Sequence, residues 1–485
     1  MDQFKTPLYD ALKKYNDLNP ISLHVPGHKN GKISYGKDDV FYEQILRIDA
    51  TELTGLDDLH SPEGVILEAE NLLALAYQVK KSYFLVNGST VGNLAMILGI
   101  AHEGDTVFVQ RNCHKSVLNG IQLAKANPVL LGPELNIEWG IAGGVALDTV
   151  KEAYRLFPDC KAVILTYPNY YGMVNELKEI IEFCHGRKIP VLVDEAHGAH
   201  FIGGDFFPPS AVELGADIVV QSAHKTLPAM TMGSFLHVNS RYIYPEVINH
   251  YLQILQSSSP SYPIMGSLDL ARSYIATYSK EDQEYLRKII YAFKKELNSI
   301  EGIKVLEYEN GQGDPLKVTI QSTSTLTGFE LQSIFETDGI YSELADPYNV
   351  LFILPLLKEG MPYPFEFILD RIRRGLRTKR KSVPRSNKEQ PIFMNEGKIT
   401  TLHLQRLLSY SEKALPFSSL VNEISAETII PYPPGVPLFL RGEKISKEHI
   451  RILHLLQTTG ARFQGGKKLT DGQVFVFNNM EVHHE

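Results

Sequence analysis

The chain has 485 residues, 44% of them hydrophobic and 21% charged, with a formal net charge of −8. That length exceeds what one hydrophobic core usually serves, so two or three domains are expected. The composition is that of an ordinary globular protein, and the mild acidity argues against a nucleic-acid surface, which is normally basic.

Cys113, Cys160 and Cys184 form no CxxC or other zinc spacing and point to a reducing, cytoplasmic setting. The N-terminus MDQFKTPLYDALKKYNDLNP carries charges throughout and lacks the apolar core of a secretory signal. The most apolar stretch, VLFILPLL at 350–357, is far shorter than the ~20 residues of a membrane helix, so no membrane partner is expected.

In chain order, residues 1–60 read as irregular, punctuated by HVPGHKNGK and GLDDLHSPEG. EGVILEAENLLALAYQ (63–78) has helical periodicity, SYFLV (82–86) reads as a strand, and VGNLAMILGIAHEG reads as a helix ending at Gly104. TVFVQ (106–110) is a strand, HKSVLNGIQLAKA a helix and NPVLLG a strand. KAVILTYP (161–168) is a strand, NELKEIIEFCHGR a helix, and IPVLVDEA and ADIVVQSAH (216–224) are strands. Short buried strands alternating with helices predict an α/β fold with a mainly parallel sheet, whose catalytic groups sit at the carboxyl ends of strands. Asp194 and Lys225 both lie at such ends.

After residue 280 the texture changes. KEDQEYLRKIIYAFKKELNSI reads as a long amphipathic helix, and IKVLEYE, LKVTIQS and NVLFILPLL as strands of a smaller α+β domain. TKRKSVPRSNKEQP (378–391) is polar and basic and reads as a linker, followed by a module containing PYPPGVPLFL (431–440). The expected division is an N-terminal segment 1–60, a large domain 61–290, a small domain 291–378 and a C-terminal domain 379–485.

The stretch VLVDEAHGAH (191–200) permits three readings. A helicase box needs an upstream GxxxxGK[ST] loop. GHKNGKI has too few residues between its glycines, and GARFQGGKK misses the spacing and follows the acidic motif. A metal site needs converging ligands, which Asp194 and His200 on a strand end do not assure, and Pro26 and Gly27 break the helix that would align His24 with His28. No metal is therefore expected. The third reading is pyridoxal 5′-phosphate (PLP), which needs a lysine for an imine, a carboxylate for the pyridine nitrogen, a phosphate cradle and a stacking surface.

Lys225, just past an apolar strand, is the imine candidate, since partial desolvation there would free its amine. Its plainer alternative is a surface lysine. Asp194 is the ring-nitrogen partner, or otherwise a turn or cap residue. NGSTVGN (87–93) joins a strand to a helix. Gly88 permits close backbone approach, and Ser89 and Thr90 supply hydroxyls at a helix start that favours a dianion. Plain N-capping by either hydroxyl is the alternative. Ser222 and His224 stand beside the lysine, and His114 at another strand end is the stacking candidate or an ordinary loop histidine.

HVPGHKNG, TGLDDLHSPEG, VNGSTVGN, RNCHKS, TYPNYYG, VDEAHGAH, SAHKTLPAMTMGS and PYPPGVP with RGE closely resemble the ornithine/lysine/arginine decarboxylase family of fold-type I PLP enzymes, over nearly the whole chain. The resemblance implies a seven-stranded-type, mainly parallel sheet flanked by helices, with a smaller α+β domain and a C-terminal domain. It implies that Lys225 carries the cofactor as an imine, Asp194 pairs with its ring nitrogen, His114 stacks on one ring face and Ala196 packs on the other. Ser89, Thr90, Ser222 and His224 would hold the phosphate, with Gly88 in the same loop. His197 falls where long family members carry a tryptophan. The implied reaction is loss of CO2 from lysine, arginine or ornithine, the proton returning from Lys225 or His224. The implied assembly is a dimer at minimum, with the active site at the subunit interface. The chain shows no response-regulator-like wing domain, so ring-like higher assemblies are not expected, and RGE stands where PGE is usual.

Glu343 and Glu443 are candidates for the substrate's distal cation, each alternatively a solvated acid. Rival readings keep the fold and change the role. One is a transaminase or aldolase, with Arg371, Arg373 or Arg374 as carboxylate partner; the other is a non-catalytic regulator.

Overall fold

The computed structural model describes residues 1–33, 40–378, 399–402, 410–431 and 436–478. Residues 379–391 of the expected linker and 432–435 of the proline-rich stretch lie outside them. By internal contacts the chain divides into two units, residues 1–100 with 177–283 and residues 101–176 with 284–485.

In the first unit, strands Val191–Asp194 and Ile218–Gln221 run parallel, with Asp194 opposite Val220. Both are Val/Ile/Leu-rich runs buried along their whole length, the pattern of a strand covered on both faces. Ser234–Val238 pairs antiparallel with Ile218–Gln221 on one side and with Lys81–Leu85 on the other. Helix Gly88–Leu98 packs tightly against this sheet. A Cβ on Gly92 would lie 2.7 Å from Val220 and 2.8 Å from Leu85, so only glycine allows that approach. This helix ends at Leu98 rather than Gly104.

The first 60 residues are less irregular than their sequence reads, because they contain helices Pro7–Asp17 and Val40–Ile48. Only Leu8 and Leu12 of the first helix are buried, too few apolar positions to announce it. Its anchor is a tertiary one. Asp269 in helix Tyr262–Ala276 accepts the backbone N–H of Leu8 (3.0 Å) and Tyr9 (3.3 Å) and pairs with Arg272 at 2.6 Å, both side chains being fully buried. Arg272 also donates to the carbonyls of Gln3 and Lys5. Asp57, within TGLDDLHSPEG, accepts backbone N–H groups of Glu63, Gly64, Ile66 and Leu67 and so caps helix Val65–Ala76. Burial pushes its carboxyl up, but these donors outweigh it and hold the pKa below the ordinary value.

In the second unit, Thr106–Gln110 pairs in parallel with both Asn127–Leu131 and Ala162–Thr166, and Ile399–Thr401 adds an antiparallel edge. A smaller antiparallel sheet runs in the order Ile303–Val305, Lys317–Ser322, Asn349–Ile353, Leu344–Ala345. The C-terminal part pairs Glu412–Pro416 with Gln473–Phe477. It packs helix Lys447–Thr459, opened by a Ser446 capping box, on a core that includes Leu420, Ile429, Phe439 and Val474. The architecture is α/β, as expected. Within the first unit the strand the sequence pattern does not announce is Ser234–Val238, where the buried polar His237 interrupts the apolar run.

Arg272→Ala would leave Asp269 buried and unpaired. Stability measured by urea unfolding is expected to fall by about 3–5 kcal/mol; a loss below about 1 kcal/mol would remove the buried pair as the N-terminal anchor.

Candidate active site

The carboxyl ends of the two parallel strands place the reactive side chains of the first unit. Asp194 closes its strand and is 2% exposed. Asn93, buried in helix Gly88–Leu98, donates to one carboxylate oxygen at 2.8 Å, and the Ala196 N–H donates to the other at 3.2 Å. Both oxygens are thus oriented before any ligand arrives. Asn93 lies within NGSTVGN, but the sequence reading assigned it no role. A buried asparagine on an otherwise apolar helix face was the available signal.

The neighbouring strand runs directly into Ser222 and then into the single turn Ala223–Thr226, which carries His224 and Lys225. Lys225 Nζ lies 3.0 Å from His197 Nε2. His197 is buried and sits in the turn that follows Asp194, as does Ala196. His224 Nδ1 bonds the Gly233 carbonyl at 2.9 Å, which orients the ring.

Ser222 Oγ donates to Ser89 Oγ at 2.8 Å, so the lysine turn and the start of helix Gly88–Leu98 share one hydroxyl pair. Gly88 has φ +75°, a left-handed conformation that favours glycine, and a Cβ there would meet nothing within 4 Å. Thr90 is exposed in the same first turn. Open backbone, hydroxyls and a helix N-terminus suit a phosphate dianion; an oriented buried carboxylate suits a protonated ring nitrogen; a lysine amine suits an aldehyde. The donor set therefore fits PLP.

Glu195, for which the sequence offered no role, is fully buried and accepts three hydrogen bonds, from Ala211 N–H (2.7 Å), Ser210 Oγ (2.8 Å) and Gln221 Nε2 (2.6 Å). Burial pushes its carboxyl up to about 8 against the pull of these donors. Gln221 continues to His237 Nε2 at 3.1 Å, and His237 Nδ1 to Ser82 Oγ at 2.8 Å. Burial pushes the His237 imidazole down to about 3, which keeps it neutral.

The remaining three sequence candidates lie in the second unit. His114 follows strand Thr106–Gln110, and its Nδ1 accepts the Ser116 N–H at 3.2 Å, capping helix Lys115–Ala124. Glu343 is exposed. Glu443 is 6% exposed and held by Arg111, whose Nε and Nη2 reach its two oxygens at 2.9 and 2.7 Å. Arg111 also donates to the carbonyls of Pro437 and Leu438. Burial alone would raise the Glu443 carboxyl, but the charges of Arg111 and His449 outweigh it and hold the carboxyl at about 2. Among the described residues, no three His, Cys, Asp or Glu side chains group as metal ligands would.

A family model described as Orn/Lys/Arg decarboxylase, major domain, matches residues 6–312, and one described as Orn/Lys/Arg decarboxylase, C-terminal domain, matches residues 399–481. The uncharacterized protein YaaO of Bacillus subtilis strain 168 is 44% identical over 479 residues, covering 97% of this chain and 98% of the relative. An arginine decarboxylase of the same organism is 32% identical over 485 residues, covering 97% of each. Among solved structures, the constitutive lysine decarboxylase of Escherichia coli superposes with a TM-score of 0.79 at 22% identity, covering 98% of this chain and 82% of that one, a likeness of fold.

Because the Glu443 pKa is depressed, its pairing with Arg111 contributes stability above the unfolded-state value, about 4.3, and that stability is lost as pH falls towards 2. Glu443→Gln is expected to lower stability by about 3 kcal/mol at pH 7. The gap between variant and parent should narrow below about pH 4. Unfolding midpoints at several pH values test this, and a gap independent of pH would contradict it.

Proposed function

The chain belongs to the Orn/Lys/Arg decarboxylase family, PLP-dependent carboxy-lyases of fold type I, and on that premise we propose that it removes the α-carboxylate of a basic amino acid as CO2, with arginine ranked first. The ranking rests on the relative that matches end to end and is named arginine decarboxylase. The observation that carries the reading is the convergence of Lys225, His197, Asp194, Ser89 and Ser222 at two adjacent strand ends within one unit.

PLP supplies the electron sink for the carbon that loses its carboxylate. Lys225 would hold the cofactor through its ε-amine until the substrate amine displaces it. Asp194, oriented by Asn93 and Ala196, would keep a proton on the ring nitrogen without reorganising, which is where electrostatic stabilisation is most effective. Gly88, Ser89, Thr90, Ser222 and His224 are assigned to the phosphate, and Ala196 to one ring face. Lys225 Nζ and His197 Nε2, 3.0 Å apart, offer a path for the proton that returns to the substrate carbon. Glu443 already has its charge matched by Arg111, so Glu343 is the acid proposed for the substrate's distal cation.

The proposed setting is cytoplasmic; no helix among the described residues is long and apolar enough to cross a membrane. The proposed assembly is a homodimer at minimum. Ile21 and Leu23, 85% and 93% exposed, are apolar side chains such an interface would cover.

The test is CO2 release from arginine, lysine and ornithine by the PLP-loaded protein. Turnover is expected, with Lys225→Ala lowering kcat by at least ~10³-fold and Asp194→Ala by at least ~10²-fold. CO2 from none of the three, or full activity in Lys225→Ala, would overturn the reading.

A further inference from the structure

We infer that Glu195 is a positioning residue: its carboxyl group clamps the turn carrying Ala196 and His197 to the strand that leads into Lys225, and so sets the contact between His197 and Lys225. This rests on the decarboxylase reading above and adds a residue argued to act through its neighbours.

The geometry runs in both directions from the carboxylate. On one side, Glu195 is the first residue past strand Val191–Asp194, and its N–H still bonds the Val220 carbonyl at 2.8 Å, extending the ladder by one residue. The chain then turns, closed by the Gly198 N–H on the Glu195 carbonyl at 3.0 Å. The turn folds directly over the acid, since a Cβ on Gly198 would lie 2.6 Å from Glu195 Cγ. Ala196 and His197 are the two residues it lifts. On the other side, Gln221 is the last residue of its strand and immediately precedes Ser222, and its amide reaches Glu195 at 2.6 Å. One carboxyl group therefore bridges the two strand ends that carry the site, while Ser210 and Ala211 also donate to it.

The far end of the network returns to the chain just past that turn. Gln221 leads to His237, whose ring stacks on Tyr77 at 4.2 Å between centroids. The Tyr77 hydroxyl donates to the Ala199 carbonyl at 2.6 Å, two residues past His197. Every member of this circuit is buried. A buried acid is costly where packing alone is needed. Here its three bonds fix one loop against another, a placement that an apolar side chain would not specify.

The experiment compares the PLP-loaded wild type with Glu195→Gln, Glu195→Ala and Gln221→Leu. It reads the pH midpoint of the lysine–cofactor imine absorbance, kcat and KM, and the melting temperature. Glu195→Gln keeps an acceptor for Ala211 and can bond a reoriented Gln221 amide, so the midpoint should shift by less than about half a pH unit and kcat should stay within ~3-fold of wild type. Glu195→Ala and Gln221→Leu should shift the midpoint by about half a pH unit or more and lower kcat at least ~10-fold, with KM changed less than ~3-fold. If Glu195→Ala does not fold, Gln221→Leu decides. Variants that melt earlier yet keep the wild-type midpoint and kcat would show a purely structural residue and overturn the inference alone. A wild type with no imine absorbance would instead overturn the functional reading beneath it.

Discussion

The site depends on a register. Two parallel strands of four residues each end side by side, Asp194 facing Val220, so the chain leaving one strand and the chain leaving the other emerge next to each other. The first delivers a carboxylate and then a histidine; the second delivers a serine and then a lysine. A slip of one residue would turn every side chain of a strand to its opposite face. Gly92 adds the third component, because its missing side chain lets helix Gly88–Leu98 approach closely enough for Asn93 to reach Asp194 and Ser89 to meet Ser222.

Buried polar groups hold that register in place. Asp194, Glu195, Gln221 and His237 are all nearly inaccessible, and each has a hydrogen-bond partner. Apolar substitutes would pack such positions at lower desolvation cost, but they would leave the turns free to choose among arrangements of similar energy. The C-terminal part follows the same principle with a charged pair, the Arg111 fork on Glu443.

Much of this was legible in the sequence because it is local. Strand–turn–helix at VNGSTVGN, and apolar runs ending in Asp194 and before Lys225, announce themselves through periodicity and glycine. What was not legible is what depends on distant partners. Glu195 finds its bonds 15, 16 and 26 residues away. Arg111 finds Glu443 at a separation of 332. Helix Pro7–Asp17 is anchored by Asp269, some 260 residues on. In Ser234–Val238 the buried His237 belongs to the polar circuit, so the strand carries too irregular a hydrophobic pattern to be read. Propensity and spacing are blind to such partners.

On the proposed reading Lys225, in the turn that follows the strand beside that of Asp194, carries the cofactor. Borohydride reduction of the PLP-treated protein fixes the cofactor on whichever lysine holds it, and peptide mass mapping then identifies that lysine. The account predicts the phosphopyridoxyl group on the peptide containing Lys225 and on no other. Its appearance on a different lysine, or on none, would contradict the account.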